Sequence, residues 1–256
     1  MNSLLLLPAV DIAHGQSVRL VKGDLASETT YGEPEAQAQN LVDAGASWIH
    51  LVDLDQAYGV GTNLSLLTQV VKNVHTNFQV SGGIKDSQTL SSAVTTGATR
   101  FNLSTAALLD LPWVESAVAE YGNSLTIGLD VQADLLVARG TKEIVGNLWE
   151  VLATLEQFGC ARYVVTDIET DGALSGPNFE LLEKICAKTG SPVIASGGVA
   201  NLADLETLRN MVTLGIEGVI IGQALYAGAF TLEEALAVAG EQTVPRVNSS
   251  NSKLGI

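Results

Sequence analysis

Short apolar runs alternate with amphipathic segments along the whole chain, and this pattern predicts the fold class. The apolar runs, several of which lack the polar alternation of a half-exposed sheet, are Leu4–Val10, Trp48–Asp53, Phe78–Ser81, Arg100–Asn102, Leu125–Asp130, Tyr163–Asp167, Val193–Ser196 and Gly218–Ile221. Continuous apolar runs are typical of parallel strands covered on both faces. Helical periodicity lies between them, near Pro34–Ala44, Leu64–Val74, Ser87–Thr96, Pro112–Tyr121, Leu148–Phe158, Phe179–Lys188, Leu202–Asn210 and Leu232–Ala239. Strict alternation at about 250 residues predicts an α/β protein with a (β/α)8 TIM barrel; a doubly wound open sheet is the alternative.

The chain reads as one domain with a distinct tail. No linker rich in Pro, Ser or Gly divides its middle, so we predict a single barrel over residues 1–242. Residues 243–256 are polar, rich in Ser and Asn and without periodicity, which predicts a disordered tail. Within the barrel, Asp86, Asn178 and Asn201 each stand directly before a helical segment and are predicted to cap it.

The chain also repeats itself at half its length. The matching pairs, separated by 115 to 119 residues, are Asp11 with Asp130, Ser81-Gly82-Gly83 with Ser196-Gly197-Gly198, Gly61-Thr62-Asn63 with Gly176-Pro177-Asn178, and, more loosely, Ser104–Leu108 with Gly222–Leu225. One such match would carry no weight, but several in the same order indicate a repeat. The pattern predicts two half-barrels that place equivalent loops on opposite sides of one barrel mouth.

Composition and charge narrow the class of protein. Hydrophobic residues make up 46% of the chain and charged residues 16%, which is too apolar for a disordered protein. The net charge of −15 argues against a nucleic-acid or anionic-membrane partner, and no apolar stretch approaches the ~20 residues of a membrane span. Cys160 and Cys186 lack the spacing of a disulfide framework or a zinc site. We therefore expect a cytoplasmic monomer that binds small molecules.

Three aspartates fall at the carboxyl ends of predicted strands, where barrels of this kind build their active sites. Asp11 follows the first strand, Asp130 follows the fifth, and Asp171 lies just beyond the sixth. A carboxylate among apolar neighbours is costly unless it is hydrogen-bonded or catalytic. Asp11 and Asp171, on facing halves, form a pair that suits general acid–base catalysis. Aspartates in loops also cap helices, and for Asp130 the structural and catalytic interpretations both stay open.

The repeated Ser-Gly-Gly segments predict two anion sites. Ser81-Gly82-Gly83 and Ser196-Gly197-Gly198 follow strands three and seven, and glycine lets backbone N–H groups approach an anion closely. Strands four and eight end in Ser104-Thr105 and Gly222-Gln223, each at the start of a helical segment, where free N–H groups favour negative charge. The alternative is that the glycines only form tight turns. Two symmetric copies favour two phosphate sites on opposite rims.

Two arginines are further candidate site residues, and the lack of several known motifs argues against other kinds of chemistry. Arg19 and Arg139, in the stretches after strands one and five, are predicted to clamp the substrate, although either could be a surface arginine. The three histidines are not clustered, and His50 reads as a hydrogen-bonded core residue. No metal-ligand spacing, dinucleotide fingerprint or nucleophile elbow is present, so we expect no metal and no cofactor.

Several segments resemble the histidine-biosynthetic phosphoribosyl isomerases, and the resemblance runs from about residue 4 to residue 240. The segments that carry it are Leu7–Asp11, Val18–Leu20, Ile49–Asp55, Ser81–Ile84, Thr166–Ile168, Asp171–Gly172 and Gly176–Asn178. Within that family, Ser27–Gly32, Gly159–Asp167 and Ala224–Leu232 resemble the bifunctional actinobacterial type, which serves both the histidine and the tryptophan routes.

The resemblance implies an Amadori rearrangement, aldose to ketose, without metal or redox cofactor. The implied substrates are the bisphosphorylated formimino-aminoimidazole carboxamide ribotide and phosphoribosyl anthranilate, which has one phosphate. By resemblance, Asp171 is the general acid that opens the ribose ring, and Asp11 is the base that removes the C2 proton. Thr166 and Asp130 are implied to position the reacting centre, while the Ser-Gly-Gly segments hold phosphates.

Three positions depart from the family pattern and bear on substrate preference. The loop after strand five reads Arg139-Gly140-Thr141, whereas the bifunctional type has Arg-Gly-Trp. The arginine that the family links to the anthranilate carboxylate is kept, but the tryptophan that stacks on the larger substrate is absent, a loss of ~1 kcal/mol. Lys85 and Gln223 replace a family arginine and lysine. We expect an isomerase whose balance between the two substrates has shifted.

The sequence leaves three alternatives to an isomerase that acts on both substrates. One is a specialist isomerase for a single substrate, and another is a non-catalytic barrel that binds phosphorylated metabolites. The third is the cyclase of the same pathway, which generally begins with a strand ending in lysine, whereas this chain has Pro8-Ala9-Val10-Asp11.

Overall fold

The predicted barrel is confirmed by a computed structural model, which describes residues 3–21 and 24–240. The predicted tail, residues 243–256, lies outside the described residues. The strands are β1 (Leu5–Ala13), β2 (Gln16–Val21), β3 (Asp24–Gly32), β4 (Trp48–Asp53), β5 (Asn77–Ser81), β6 (Arg100–Leu103), β7 (Leu125–Gln132), β8 (Leu135–Ala138), β9 (Glu143–Asn147), β10 (Tyr163–Asp167), β11 (Val193–Ser196) and β12 (Ile216–Ile221). The helices are α1 (Pro34–Asp43), α2 (Leu54–Tyr58), α3 (Leu64–Asn73), α4 (Ser87–Val94), α5 (Leu111–Tyr121), α6 (Leu148–Phe158), α7 (Phe179–Cys186), α8 (Leu202–Asn210), α9 (Gln223–Tyr226) and α10 (Leu232–Ala239).

Parallel pairing closes the barrel. The strands pair in the order β1-β4-β5-β6-β7-β10-β11-β12, and β12 returns to β1 with Leu5 opposite Gly218. The register places Ala9 opposite His50 and Thr166 opposite Asp130, so side chains of different strands meet at one level inside the barrel. A closed parallel sheet excludes the doubly wound alternative.

Two antiparallel hairpins extend the barrel, and the sequence analysis did not predict them. The first, β2–β3, continues from β1, and the second, β8–β9, continues from β7. The β1–β2 turn is made by His14 and Gly15, both with positive φ, and Ala133 in the β7–β8 turn also has φ +54°. Neither turn carries the Asn-Gly or Asp-Gly pair that announces a hairpin in a sequence. Each hairpin follows the first strand of its half, in keeping with the repeat.

In each half of the barrel, hydrogen bonds between an aspartate and an asparagine stabilise the loop at the carboxyl end of a strand. Asp53 at the end of β4 accepts hydrogen bonds from the backbone N–H and the side-chain amide of Asn63, at 2.7 and 2.8 Å. In the second half, Asp167 at the end of β10 accepts one from the side-chain amide of Asn178 at 2.6 Å. The repeated Asn therefore secures the loop that returns from each strand to the next helix.

The three predicted helix caps are confirmed by the structure. The side chains of Asp86, Asn178 and Asn201 accept hydrogen bonds from the backbone N–H groups of Thr89, Leu181 and Ala203, at 2.8, 3.0 and 2.9 Å. Each bond satisfies one donor that the first turn of a helix leaves without an intrahelical partner.

The barrel interior is divided between apolar and polar side chains. Leu7, Ala9, Val164, Ile194 and Ile220 form a buried apolar cluster on one side. Buried polar side chains occupy the remainder and include His50, Gln79, Asn102, Thr126 and Thr166. At the amino-terminal end of the strands, Glu217 pairs with Arg100 and Arg162 at 3.1 and 3.0 Å. The barrel thus has a charged cluster at the amino-terminal end of its strands and polar side chains in its interior.

Close backbone contacts explain one glycine in each Ser-Gly-Gly turn. A Cβ atom on Gly83 would lie 2.6 Å from the Gln56 carbonyl oxygen, and one on Gly198 would lie 2.4 Å from that of Gly176. Both glycines also have a positive φ, +65° and +82°. The turns can therefore close on the neighbouring loops only with glycine at these positions.

We predict that Gly83→Ala and Gly198→Ala each lower the free energy of unfolding by about 3 kcal/mol, because dihedral strain and a backbone clash act together. Gly97 provides the control, since its φ is +78° but its missing Cβ faces open space. Gly97→Ala should cost only about 1 kcal/mol. Urea unfolding of the three variants measures these costs. Equal losses in all three would show that the close contacts do not matter.

Hydrogen bonds to the side chain of Glu156 connect α6 to β10 and to the loop before β11. The Glu156 carboxylate accepts hydrogen bonds from the Tyr163 hydroxyl at 2.7 Å, the Thr189 hydroxyl at 2.6 Å and the Gly190 N–H at 2.9 Å. Burial alone would raise the pKa of Glu156, but these three donors outweigh it and lower that pKa below its ordinary value of 4.5.

We predict that Glu156 makes the fold acid-sensitive. Its lowered pKa contributes stability that is present above pH 4.5 and is lost as the pH falls through the folded-state pKa. Glu156→Gln should therefore reduce stability at pH 7 and flatten its decline between neutral and acidic pH. Urea unfolding at a series of pH values tests this, with the exposed Glu120→Gln as the control. A variant with the same pH slope as the parent protein would contradict it.

Candidate active site

A cavity of about 340 Å³ opens at the carboxyl end of the barrel strands. All the residues selected from the sequence as candidate site residues line it: Asp11, Arg19, Ser81, Gly82, Gly83, Ser104, Thr105, Asp130, Arg139, Thr166, Asp171, Ser196, Gly197, Gly198, Gly222 and Gln223. The fold thus brings together, in one cavity, groups from both halves of the chain. Their individual roles remain predictions.

Asp11 and Arg19 form an ion pair across the first hairpin. The antiparallel register of β1 and β2 places Asp11 opposite Val18, so Arg19 follows directly beside it. One terminal nitrogen of Arg19, Nη1, donates to the Asp11 carboxylate, and the other, Nη2, donates to the Ala9 carbonyl oxygen. The Arg19 side chain is only 8% exposed, while Asp11 is 19% exposed. The carboxylate is thus open to the cavity, and its cation lies behind it.

Burial and the neighbouring charges shift the pKa values of Asp11 and Arg19 in opposite directions. Burial raises the pKa of Asp11, and the nearby Asp171 adds to the increase, whereas Arg19 and the more distant Arg139 lower it; the net direction is upward. Burial lowers the pKa of Arg19, but Asp11 and Tyr226 outweigh it. Asp11 is consequently a stronger base than an exposed aspartate, while Arg19 stays charged.

Asp171 pairs with Arg139, which comes from the second hairpin. The distance from Arg139 Nη2 to Asp171 Oδ2 is 2.7 Å, and both side chains are about one-third exposed toward the cavity. Arg139 lies between β8 and β9, so the hairpin tip reaches the loop after β10. A Cβ on the next residue, Gly140, would lie 2.4 Å from the Ala57 carbonyl oxygen, which shows how closely this tip packs across the mouth.

Asp130 lies at the end of β7 among hydroxyl groups. Its carboxylate is 2.8 Å from the Thr105 hydroxyl, and its backbone N–H donates to that same hydroxyl at 2.8 Å. Thr166 also hydrogen-bonds to the carboxylate. Burial raises the pKa of Asp130, although Arg139 and the two threonines oppose the increase. The contacts fit the structural interpretation of Asp130, and its place in the cavity fits the positioning role.

The two predicted anion sites lie on opposite sides of the cavity mouth, but their residues differ in their hydrogen bonds. Ser104 donates both its N–H and its hydroxyl to the Ile84 carbonyl oxygen, at 2.8 and 3.1 Å, so it joins two loops. The Thr105 side chain is occupied by Asp130, which leaves its backbone N–H for an anion. The buried Gln223 Oε1 has no hydrogen-bond partner among the described residues.

Tyr226 was not among the candidate site residues selected from the sequence, and His50 was predicted to be a core residue only. Tyr226 on α9 packs its ring against Arg19, with 4.3 Å from Arg19 Cζ to the ring centroid. His50 lines the cavity although it is buried and hydrogen-bonded to Gln79 at 3.0 Å, as a core histidine would be. Burial, together with Arg19, lowers the pKa of His50 to about 3, so its ring is neutral. The contact of Tyr226 with Arg19 depends on the first hairpin, which carried no sequence signal.

Other site types receive little support within the described ranges. No group of three or more His, Cys, Asp or Glu side chains is arranged to hold a metal ion in residues 3–21 and 24–240. Cys160 and Cys186 are both buried and unpaired with each other. In that same part of the chain, none of the helices has the length and apolar character needed to cross a membrane.

Comparisons with known proteins agree with this geometry. Residues 5–231 match the family model described as histidine biosynthesis protein. A relative from Arthrobacter sp. (strain FB24) is 52% identical over 93% of this chain and 96% of its own length. A relative from Salinispora arenicola is 54% identical over 91% and 97%, and one from Nocardia farcinica is 52% identical over 92% and 98%.

All three relatives carry the name 1-(5-phosphoribosyl)-5-((5-phosphoribosylamino)methylideneamino)imidazole-4-carboxamide isomerase. The match covers both half-barrels and therefore both sides of the cavity. The chain belongs to the histidine biosynthesis protein family, as one of its isomerases.

Proposed function

We propose that this enzyme converts the aldose form of the bisphosphorylated imidazole carboxamide ribotide, named for its relatives, into the corresponding ketose. The observation that carries the proposal is a pair of carboxylates, Asp11 and Asp171, which line one cavity and each pair with a separate arginine. Such a pair can supply an acid and a base to a sugar held between them.

The cavity suits a substrate with two phosphates. The Ser-Gly-Gly turns after β5 and β11 flank it from opposite sides, and each is followed along the sheet by the start of a short helix, whose first N–H groups have no partner within the helix. Lys85 adds a cation beside the first turn. Since the whole chain has a net charge of −15, these local donors are what hold an anionic substrate in place.

Ring opening is the first chemical step. Asp171 donates a proton to the ribose ring oxygen, the bond from C1 to that oxygen breaks, and the amine nitrogen forms a protonated Schiff base with C1. Asp171 must carry a proton for this step, and its carboxyl group contacts Arg139 in this structure. A substrate anion that draws Arg139 away would free the Asp171 carboxyl group to approach the ring oxygen.

Proton removal at C2 is the second step. Asp11 takes the C2 proton, the C2–H electron pair forms the C1–C2 double bond of an enolamine, and the C1–N double-bond pair moves onto the nitrogen. Return of a proton from Asp11 to C1 and loss of the C2 hydroxyl proton to Asp171 then give the ketose and restore both carboxyl groups. Burial raises the pKa of Asp11 and strengthens it as a base, and Arg19 keeps it ionised enough to act. Substrate and product are isomers, so proton transfers between these two carboxyl groups and the sugar account for every atom.

Phosphoribosyl anthranilate is a second candidate substrate, and Arg139 is the observation that favours it. The Arg139 guanidinium lines the cavity beside Asp171, where it can exchange one carboxylate partner for another, including that of an aromatic acid. The absence of an aromatic residue at Thr141 removes stacking on the imidazole substrate.

A non-catalytic binding barrel would not need two carboxylates that face the same sugar.

We predict that Asp11→Asn and Asp171→Asn each lower kcat on the ribotide by about 10²- to 10⁴-fold, with substrate affinity changed only a few-fold. Turnover and equilibrium binding of the ribotide measure the two effects. Asp110→Asn is the matched control, because Asp110 caps α5 outside the cavity and Asn caps equally well. Turnover near the parent rate in both variants would refute the acid–base assignment.

We predict that Thr141→Trp raises kcat/KM for the imidazole ribotide about fivefold, since a stacked aromatic ring contributes ~1 kcal/mol. Thr141→Leu adds apolar surface without a ring and should have a smaller effect. Steady-state kinetics on both ribotides checks this and measures the substrate balance of the parent enzyme. No detectable rate on phosphoribosyl anthranilate would make the enzyme a specialist for the imidazole substrate.

A further inference from the structure

Tyr226 lies behind the cavity rather than in it. It is the last residue of α9, directly after the Gly222-Gln223 turn, and it is not among the residues that line the cavity. Its ring faces the Arg19 guanidinium, its hydroxyl donates to the Ala9 carbonyl oxygen at 3.2 Å, and the Tyr31 ring meets it edge-on at 4.6 Å. Tyr226 therefore joins the first hairpin to the segment after β12.

Arg19 has little freedom in this setting. Two of its edges are fixed by hydrogen bonds to Asp11 and Ala9, and a Cβ on Gly222 would lie only 3.2 Å from Arg19 Cζ. The third donor, Nε, is buried and has no hydrogen-bond partner among the described residues. The hydrogen bonds at Nη1 and Nη2 hold one side of the guanidinium, and the Tyr226 ring and the backbone of Gly222 pack against it where Nε makes no bond.

We propose that Tyr226 is a positioning residue for the isomerase reaction: its ring holds the Arg19 guanidinium in the orientation that pairs with Asp11. This inference rests on the proposed function for the role of Asp11 as the base. A desolvated cation over an aromatic face is attracted by the electron density of the ring, and a tyrosine ring of this kind is also rigid. The Tyr226 hydroxyl also hydrogen-bonds to Arg19, so the ring and the hydroxyl both contribute.

The consequence for Asp11 can be followed through its charged surroundings. The titratable groups that face it are Arg19 from β2, Asp171 from the loop after β10, Arg139 from the second hairpin, Tyr226 from α9 and, beyond Arg19, His50 from β4. Among the cations of residues 3–21 and 24–240, Arg19 is the one that contacts Tyr226. Loss of the ring loosens Arg19, so the ionised form of Asp11 loses stabilisation and its pKa rises.

The direct experiment is a ¹³C NMR titration of the Asp11 carboxyl group, assigned with Asp11→Asn. We expect Tyr226→Leu to raise the pKa of Asp11 by about 1, and Tyr226→Phe, which keeps the ring but loses the hydroxyl contact with Arg19, to raise it by less. The acidic limb of kcat/KM for the ribotide should move by the same amount, which lowers kcat/KM about tenfold on that limb. Tyr121→Leu, a half-buried tyrosine on α5, is the control and should move neither.

Two further measurements separate positioning from a structural role. In an Arg19→Gln background, Tyr226→Leu should cause no additional shift of the Asp11 titration, because the ring acts through Arg19. If Tyr226→Leu does not fold, stepwise fluorinated phenylalanines at position 226 keep the shape of the ring but weaken its attraction for a cation, and each step should raise the pKa of Asp11 further.

An Asp11 titration that is unchanged by Tyr226→Leu or by ring fluorination overturns the proposal, and so does a shift that persists without Arg19. The NMR titration does not depend on turnover. If the parent enzyme fails to convert the ribotide, the proposed function fails while the link from Tyr226 to Asp11 is still decided.

Discussion

The pairing of buried carboxylates with arginines governs the architecture of this site. A carboxylate removed from water is destabilised by several kcal/mol unless a cation and hydrogen bonds compensate it. Asp11 meets that condition through Arg19, whose remaining terminal nitrogen is satisfied by the Ala9 carbonyl. The arginine in turn packs against the Tyr226 ring, with 4.3 Å from Arg19 Cζ to the ring centroid. Chemistry at the mouth of the barrel therefore depends on residues one layer behind it.

The hairpins are the means by which the fold supplies these cations. Parallel strands cannot place a neighbour in sequence beside a strand end, whereas an antiparallel return does so within a few residues. β2 brings Arg19 back beside Asp11, and the tip after β8 carries Arg139 across to Asp171. The repeat thus provides one arginine from each half, although the two carboxylates they serve lie on different kinds of segment.

Much of this arrangement was predictable from the sequence, for identifiable reasons. The barrel strands were predicted because apolar runs of their kind are buried on both faces, and Asp86 and Asn201 mark helix starts through local hydrogen bonds. The gathering of the candidate residues followed from the rule that strand ends meet at one edge. The hairpins were not predictable, because turns such as His14-Gly15 lack the usual residue types. Without β2, neither the pairing of Arg19 with Asp11 nor the contact with Tyr226 could be predicted.

The inequivalence of the two halves has a consequence for the ancestry of such a barrel. In the segment after β10, Asp171 faces the cavity, but the corresponding stretch after β4 uses its carboxylate, Asp55, to accept the His14 N–H at 3.0 Å. A symmetric protein assembled from two copies of the first half would keep both glycine turns and both hairpins. Such a protein would carry the Asp11–Arg19 pair twice but no carboxylate in the place of Asp171, so under the proposed mechanism it would lack the proton donor.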